Sequence, residues 1–130
     1  MSITFTNTCD ALNANQLEGF FVGWPKWPDA QKHLEILQGS HAVWLAMDGE
    51  RCVGFINAIS DGVFYVYVPL LEVLPDYQRQ GIGSELVKRM LDSLKPMYAI
   101  DIVCDESAAS FYHQQGFSRC VGMVIRNAIL

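Results

Sequence analysis

The chain has 130 residues, is 51% hydrophobic and 18% charged, and carries a formal net charge of −5. That length suits one domain, and the apolar content is enough for a core and too high for a disordered tail, so one compact domain over residues 1–130 is expected. The charge argues against a nucleic-acid partner: no Lys/Arg cluster is present, adjacent Lys88 and Arg89 read as a solvated helix face, and an acidic surface favours a cationic substrate.

The start, Met1 to Asn7, has neither a basic n-region nor a long apolar run, so it does not read as a signal peptide. No stretch approaches the roughly 18 to 20 apolar residues of a membrane span, so no membrane partner and a cytoplasmic location are expected. Cys9, Cys52, Cys104 and Cys120 are scattered without a C-x-x-C pair, which predicts buried thiols and no metal site.

Ser2 to Thr6 reads as a first strand. Asn13 is placed to cap a helix presenting Leu17, Phe20 and Phe21, with Gln16 reaching back and Leu12 stapling onto Leu17. Pro25 and Pro28 force an irregular turn, and a second helix runs from Pro28 to Gly39 with Ala30, His33, Leu34 and Leu37 on its apolar face. His41 to Met47 and Cys52 to Ser60 form strands joined at Asp48-Gly49, and Asp61-Gly62 makes a second turn. Val63 to Leu74 is a long strand in which Pro69 predicts a bulge or a released edge.

From Gly81 to Lys95 the residues Ile82, Leu86, Met90 and Leu94 recur at helical spacing opposite Glu85, Lys88, Arg89 and Asp92. Tyr98 to Cys104 is another strand, Asp105 opens a helix reaching Gln115, and the tail from Phe117 is strand-like with a turn near Gly122. The two strands flanking the Gly81 helix should be parallel and the earlier hairpins antiparallel. The fold class is a mixed α/β sheet with helices on both faces.

The chemistry concentrates in Gln78-Arg79-Gln80-Gly81-Ile82-Gly83-Ser84, between a strand and a helix. Helix-opening N–H groups lack intrahelical partners and carry partial positive charge, and glycines let an anion approach, so this stretch suits a pyrophosphate. It is neither a Walker loop nor the three-glycine dinucleotide fingerprint. Glu72 is a carboxylate in the apolar run Leu70 to Leu74; it reads either as a base, or as a strand-end group facing solvent or Arg79.

Residues Leu71 to Ser84 resemble the acetyl-CoA-binding motif of GNAT N-acetyltransferases, and Asp105 to Phe117 resemble that family's helix motif, N-x-x-A-x-x-F-Y-x-x-x-G-F. Gly23-Trp24-Pro25, Ala58 to Asp61 and the Tyr77-Gln78 loop are similar to the branch containing plant plastid serotonin and lysine N-acetyltransferases. The resemblance implies a GNAT fold with a splayed parallel strand pair and acetyl-CoA as co-substrate. In it, Leu71 and Val73 hold pantetheine by main chain, and Gln78 to Ser84 hold the pyrophosphate. Asp105 stands where the family has Asn, keeping an acceptor and losing a donor.

Tyr112 follows Asp105 by seven residues, about two helical turns, so the two share a face. The resemblance makes Tyr112 the acid that protonates the departing CoA thiolate; the alternative is an aromatic packed with its hydroxyl on a carbonyl. It also implies an oxyanion donor at a main-chain N–H near Val73 and places Trp24 and Trp27 where the amine acceptor binds, unless they only cover the core. Glu72 is then the base, with Asp61, Asp101 and His41 as lesser candidates. Cys104 as an acetylated intermediate lacks a His partner. His113 reads as exposed and His33 as a core-edge residue. The implied activity is acetyl transfer to a primary amine by direct attack, and relatives in this family also form homodimers. A non-catalytic acyl-CoA sensor on the same fold is the alternative, supported by Asp105.

Overall fold

A computed structural model describes residues 2–25 and 28–127. Five strands form one sheet in chain order: β1 (Ile3–Thr6), β2 (Ala42–Asp48), β3 (Arg51–Ser60), β4 (Tyr65–Val73) and β5 (Ala99–Ile102). Neighbours are antiparallel except β4 and β5, which are parallel and are joined through helix α2 (Ile82–Ser93). Helix α1 (Ala30–Gln38) packs on one face, where His33 meets the ring of Phe55. Helix α2 packs on the other face, across Gly54. A Cβ at Gly54 would lie 3.2 Å from Leu86 Cδ1 and 3.3 Å from Ile82 Cγ2, so the missing side chain is what lets α2 approach. Helix α3 (Ala109–Gln114) follows β5 after a 3₁₀ turn at Glu106–Ala108.

Three elements differ from the sequence expectation. The Asn13 helix is only a 3₁₀ turn, Ala14–Leu17, although Gln16 Oε1 does accept the Asn13 N–H at 2.7 Å. Continuation is blocked because Gly19 (φ 97°) and Phe21 (φ 63°) are left-handed, which buries both Phe20 and Phe21. The Asp105 helix is split, since residues 106–108 wind as 3₁₀ and the Asp105 side chain caps nothing. The tail from Phe117 forms no strand within the described residues. β5 offers a partner only four residues long, and Val121, Met123 and Ile125 stay exposed.

Two side-chain expectations also change. Cys104 and Cys120 are exposed, whereas Cys52 is buried and burial pushes its thiol up to about 12. His33 is not at the core edge but inside it, at 1% exposure. Burial holds its pKa down at about 4, below the unfolded value of about 6.5, so the unfolded chain binds the proton more tightly. Stability from this group is therefore complete above about pH 6.5 and falls as pH drops toward 4, by roughly 3 kcal/mol at most. Urea unfolding at pH 7 and pH 5 should show this loss, and His33→Leu should remove that share of it; an unchanged pH dependence in the variant would rule out His33 as its source.

Candidate active site

Pro69 builds the first part of the site. β4 pairs with β5 only over Tyr65–Val68 against Ala99–Ile102, yet β4 runs on to Val73. Pro69 lies just past the last paired residue and has no N–H to donate. Its neighbourhood is also bulged, because the register against β3 slips between Asn57 and Ile59. Beyond it Leu70 to Val73 keep their β3 partners but have no strand on the β5 side, so the parallel pair parts there.

The second part is the turn into α2. A 3₁₀ turn, Pro75–Tyr77, is anchored by the Tyr77 hydroxyl donating to Asp48 Oδ2 at 2.7 Å and by Gln78 Nε2 donating to the Val73 carbonyl at 3.0 Å. Arg79 (φ 64°) and Gly81 (φ 82°) are both left-handed. Gly81 is the N-cap of α2, and no side chain caps that end. The first-turn N–H groups of Ile82, Gly83 and Ser84 thus have no intrahelical partner, and a Cβ at Gly81 would meet nothing within 4 Å. Bare donors at an open helix N-terminus fit a phosphate. A Cβ at Gly83 would sit 3.8 Å from both Phe111 Cζ and Val73 Cγ2, in the seam between α2, α3 and β4.

Glu72 faces a cavity of about 310 Å³ together with Leu71, Gln78, Leu70, Val22 and Trp24. Its carboxylate accepts the Phe21 N–H at 2.9 Å and the Val22 N–H at 3.3 Å, rather than pairing with Arg79 or pointing free into solvent. These bonds hold Phe21 in its left-handed conformation, which costs a residue with a Cβ about 1–2 kcal/mol. Trp24 packs edge-on against Phe21 with centroids 5.1 Å apart. Trp27 lies outside the described residues.

Asp105 and Tyr112 line a second cavity, about 380 Å³, with Cys104, Ile102 and Phe117 at the end of β5. The two residues line one cavity although the helix expected to carry both is split, and this is not the cavity that Glu72 lines. Burial, then the neighbouring Cys104, pushes the Tyr112 phenol up to about 12, so it keeps its proton at neutral pH. The Asp105 carbonyl accepts the Ala108 N–H at 2.9 Å. The lesser base candidates lie elsewhere: Asp61 accepts the Val63 and Phe64 N–H groups in the β3–β4 turn, and Asp101 accepts the Tyr65 hydroxyl at 3.2 Å. His41 borders Gly62 in that same turn, at the end of β4 opposite Glu72. His113 is exposed. No group of three or more His, Cys, Asp or Glu is arranged for a metal among the described residues, and no helix there is long and apolar enough to cross a membrane.

Sequence reasoning did not find the Glu72 grip on Phe21 and Val22, nor Tyr77 anchoring the turn on Asp48. Both join residues distant in sequence, and no local spacing encodes either.

A mixed sheet whose parallel pair parts beside an uncapped, glycine-hinged helix N-terminus is the GNAT fold. The chain belongs to the GNAT acetyltransferase family: the family model described as the acetyltransferase (GNAT) domain matches residues 13–130. It is 28% identical over 115 residues to GCN5-related N-acetyltransferase 1, chloroplastic, of Arabidopsis thaliana, covering 85% of this chain and 58% of that protein. The chain thus spans little more than half the length of that relative. A crystal structure from Deinococcus radiodurans R1, assigned to the acetyltransferases, superposes with a TM-score of 0.93 at 36% identity over 96% of this chain and 88% of the other. The structure of AAC(6')-Iy in complex with the bisubstrate analogue CoA-S-monomethyl-acetylneamine shares the fold, with a TM-score of 0.69 at 19% identity over 100% of both chains.

Proposed function

We propose that residues 1–130 act as one N-acetyltransferase domain that moves the acetyl group of acetyl-CoA to a primary amine by direct attack in a ternary complex. The observation that carries this reading is the parting of β4 from β5 beside the bare α2 N-terminus. Bound acetyl-CoA supplies an activated thioester. The free edge of Leu71 and Val73 suits the pantetheine amides, and the main chain from Gln78 to Ser84, turned by Gly81, suits the pyrophosphate. Asp105 offers an acceptor at the end of β5.

A primary amine with a pKa of about 10.4 is protonated at pH 7 and must lose a proton before it attacks. Glu72 is the carboxylate in the cavity next to the free edge of β4, and it takes that proton directly or through water. A main-chain N–H near Val73 stabilises the oxyanion. The neutral amine would attack the thioester carbonyl and form the C–N bond; as the C–S bond breaks, Tyr112, still protonated at working pH, would give its proton to the CoA sulfur, and the surplus proton of the new amide nitrogen would return to the phenol, directly or through water.

Binding and turnover test this separately. Gly81→Val forces a β-branched side chain into a left-handed backbone at the cradle; it should weaken acetyl-CoA binding at least about tenfold by calorimetry, since φ > 0 disfavours any Cβ. Unchanged binding would remove the cradle from the assignment. CoA release should then be followed with arylalkylamines, polyamines and lysine peptides. Binding without release from any amine would point to the acyl-CoA sensor instead.

A further inference from the structure

The turn that leads into the cradle is fastened at both ends. Its base is tied to β3, where the Leu74 N–H donates to the Val53 carbonyl at 2.8 Å. Its far end is tied by the Tyr77 hydroxyl on Asp48 Oδ2 and by Gln78 Nε2 on the Val73 carbonyl. The backbone then goes left-handed at Arg79 and again at Gly81. Glycine adopts that shape freely, but Arg79 carries a Cβ, which disfavours it. Among the described residues no hydrogen bond or ion pair of the Arg79 side chain offsets this cost. The fastening just before it must therefore hold residues 79–81 in the shape that bares the α2 N-terminus.

Asp48 is a fixed post for that fastening. It is the last residue of β2, paired with Ile3 of β1 and with Arg51 of β3, so its backbone sits inside a three-stranded ladder. Asp48 and Tyr77 are both half-buried, and the Tyr77 ring packs against the core. A hydroxyl on a carboxylate oxygen at 2.7 Å belongs to the stronger, charge-assisted kind of hydrogen bond. The two residues lie 29 positions apart, so the bond transmits the position of the β2–β3 hairpin to the turn.

We propose that Asp48 is a positioning residue for the cofactor. Through Tyr77 it holds the Pro75–Tyr77 turn so that Arg79 and Gly81 keep the left-handed shape that presents the α2 N–H groups to the pyrophosphate of acetyl-CoA. Asp48 itself touches no reacting atom. It sets the fraction of molecules whose cradle is formed before binding, and the apparent dissociation constant varies inversely with that fraction. The inference rests on the acetyl-CoA binding proposed above.

Tyr77→Phe keeps the ring in the core and removes only the hydroxyl. Its affinity for acetyl-CoA by calorimetry should be weaker by about fivefold or more. In steady-state kinetics the loss should fall on the KM for acetyl-CoA, with kcat at saturating acetyl-CoA within about twofold of the wild type. Asp48→Ala should match it, and Asp48→Asn, which retains an acceptor oxygen, should bind close to the wild type. The double variant Tyr77→Phe/Asp48→Ala should be no weaker than either single one, because both remove the same bond. In the ligand-free protein the Tyr77 and Gln78 amides, which donate to Leu74 and Pro75 within the turn, should exchange faster in Tyr77→Phe and Asp48→Ala and not in Asp48→Asn. A bond that only braces the fold would lower the urea midpoint and leave these readouts where they are. Wild-type affinity in Tyr77→Phe, a loss confined to kcat, or single losses that add in the double variant overturns the assignment. A wild type that binds no acetyl-CoA would instead remove the transfer reading, and the inference with it.

Discussion

Tyr112→Phe is expected to bind acetyl-CoA like the wild type and to lose about 10²- to 10⁴-fold in kcat, the usual range for removing a general acid. Phe retains the ring, so the edge-on contacts to Phe111 and Phe117, with centroids at 5.0 and 5.8 Å, survive and the fold should not change. What disappears is one proton held at the end of β5. Burial raises the phenol to about 12, which favours the protonated form, so Tyr112 should contribute no loss of rate on the alkaline side until roughly pH 11. Turnover and calorimetric affinity measured on one preparation decide the matter. A variant that turns over at the wild-type rate takes Tyr112 out of the mechanism. An alkaline limb centred near pH 9 that vanishes in Tyr112→Phe would show that the phenol ionises too easily for its burial to matter.

The second large effect is at Glu72, where the structure assigns the carboxylate a grip on the Phe21 and Val22 amides as well as a place beside the free end of β4. Glu72→Gln keeps the size and one acceptor oxygen but cannot take a proton. Its kcat/KM should fall about 10²-fold or more at pH 7 and recover as the pH approaches the pKa of the amine, where neutral acceptor becomes plentiful. Glu72→Ala should lose the same rate and also leave both amides without an acceptor. Hydrogen exchange at Phe21 and Val22 should then speed up, and the left-handed Phe21 should relax. Wild-type turnover in Glu72→Gln would make Glu72 only the anchor of the acceptor loop. A rate loss that high pH does not relieve would mean that the loop geometry, and not proton transfer, was damaged.

The parts of this protein legible from the sequence are those governed by near neighbours. Helical spacing places α2 within two residues at each end, Pro69 predicts where β4 is released from β5, and the glycine-rich turn before α2 is where a bare helix N-terminus stands. Each of these follows from a backbone preference or a periodicity that a few adjacent residues impose. The tertiary structure alone decided the rest. It shortened the Asn13 helix to a single turn, because burying Phe20 and Phe21 required left-handed residues that no local propensity foretells. It left the strand-patterned tail without a strand partner among the described residues, because a strand needs a partner edge and β5 is short. It turned Glu72 toward amides some fifty positions away and drew His33 into a ring of phenylalanines, because the direction of a side chain is chosen by whatever the completed sheet and helices bring against it.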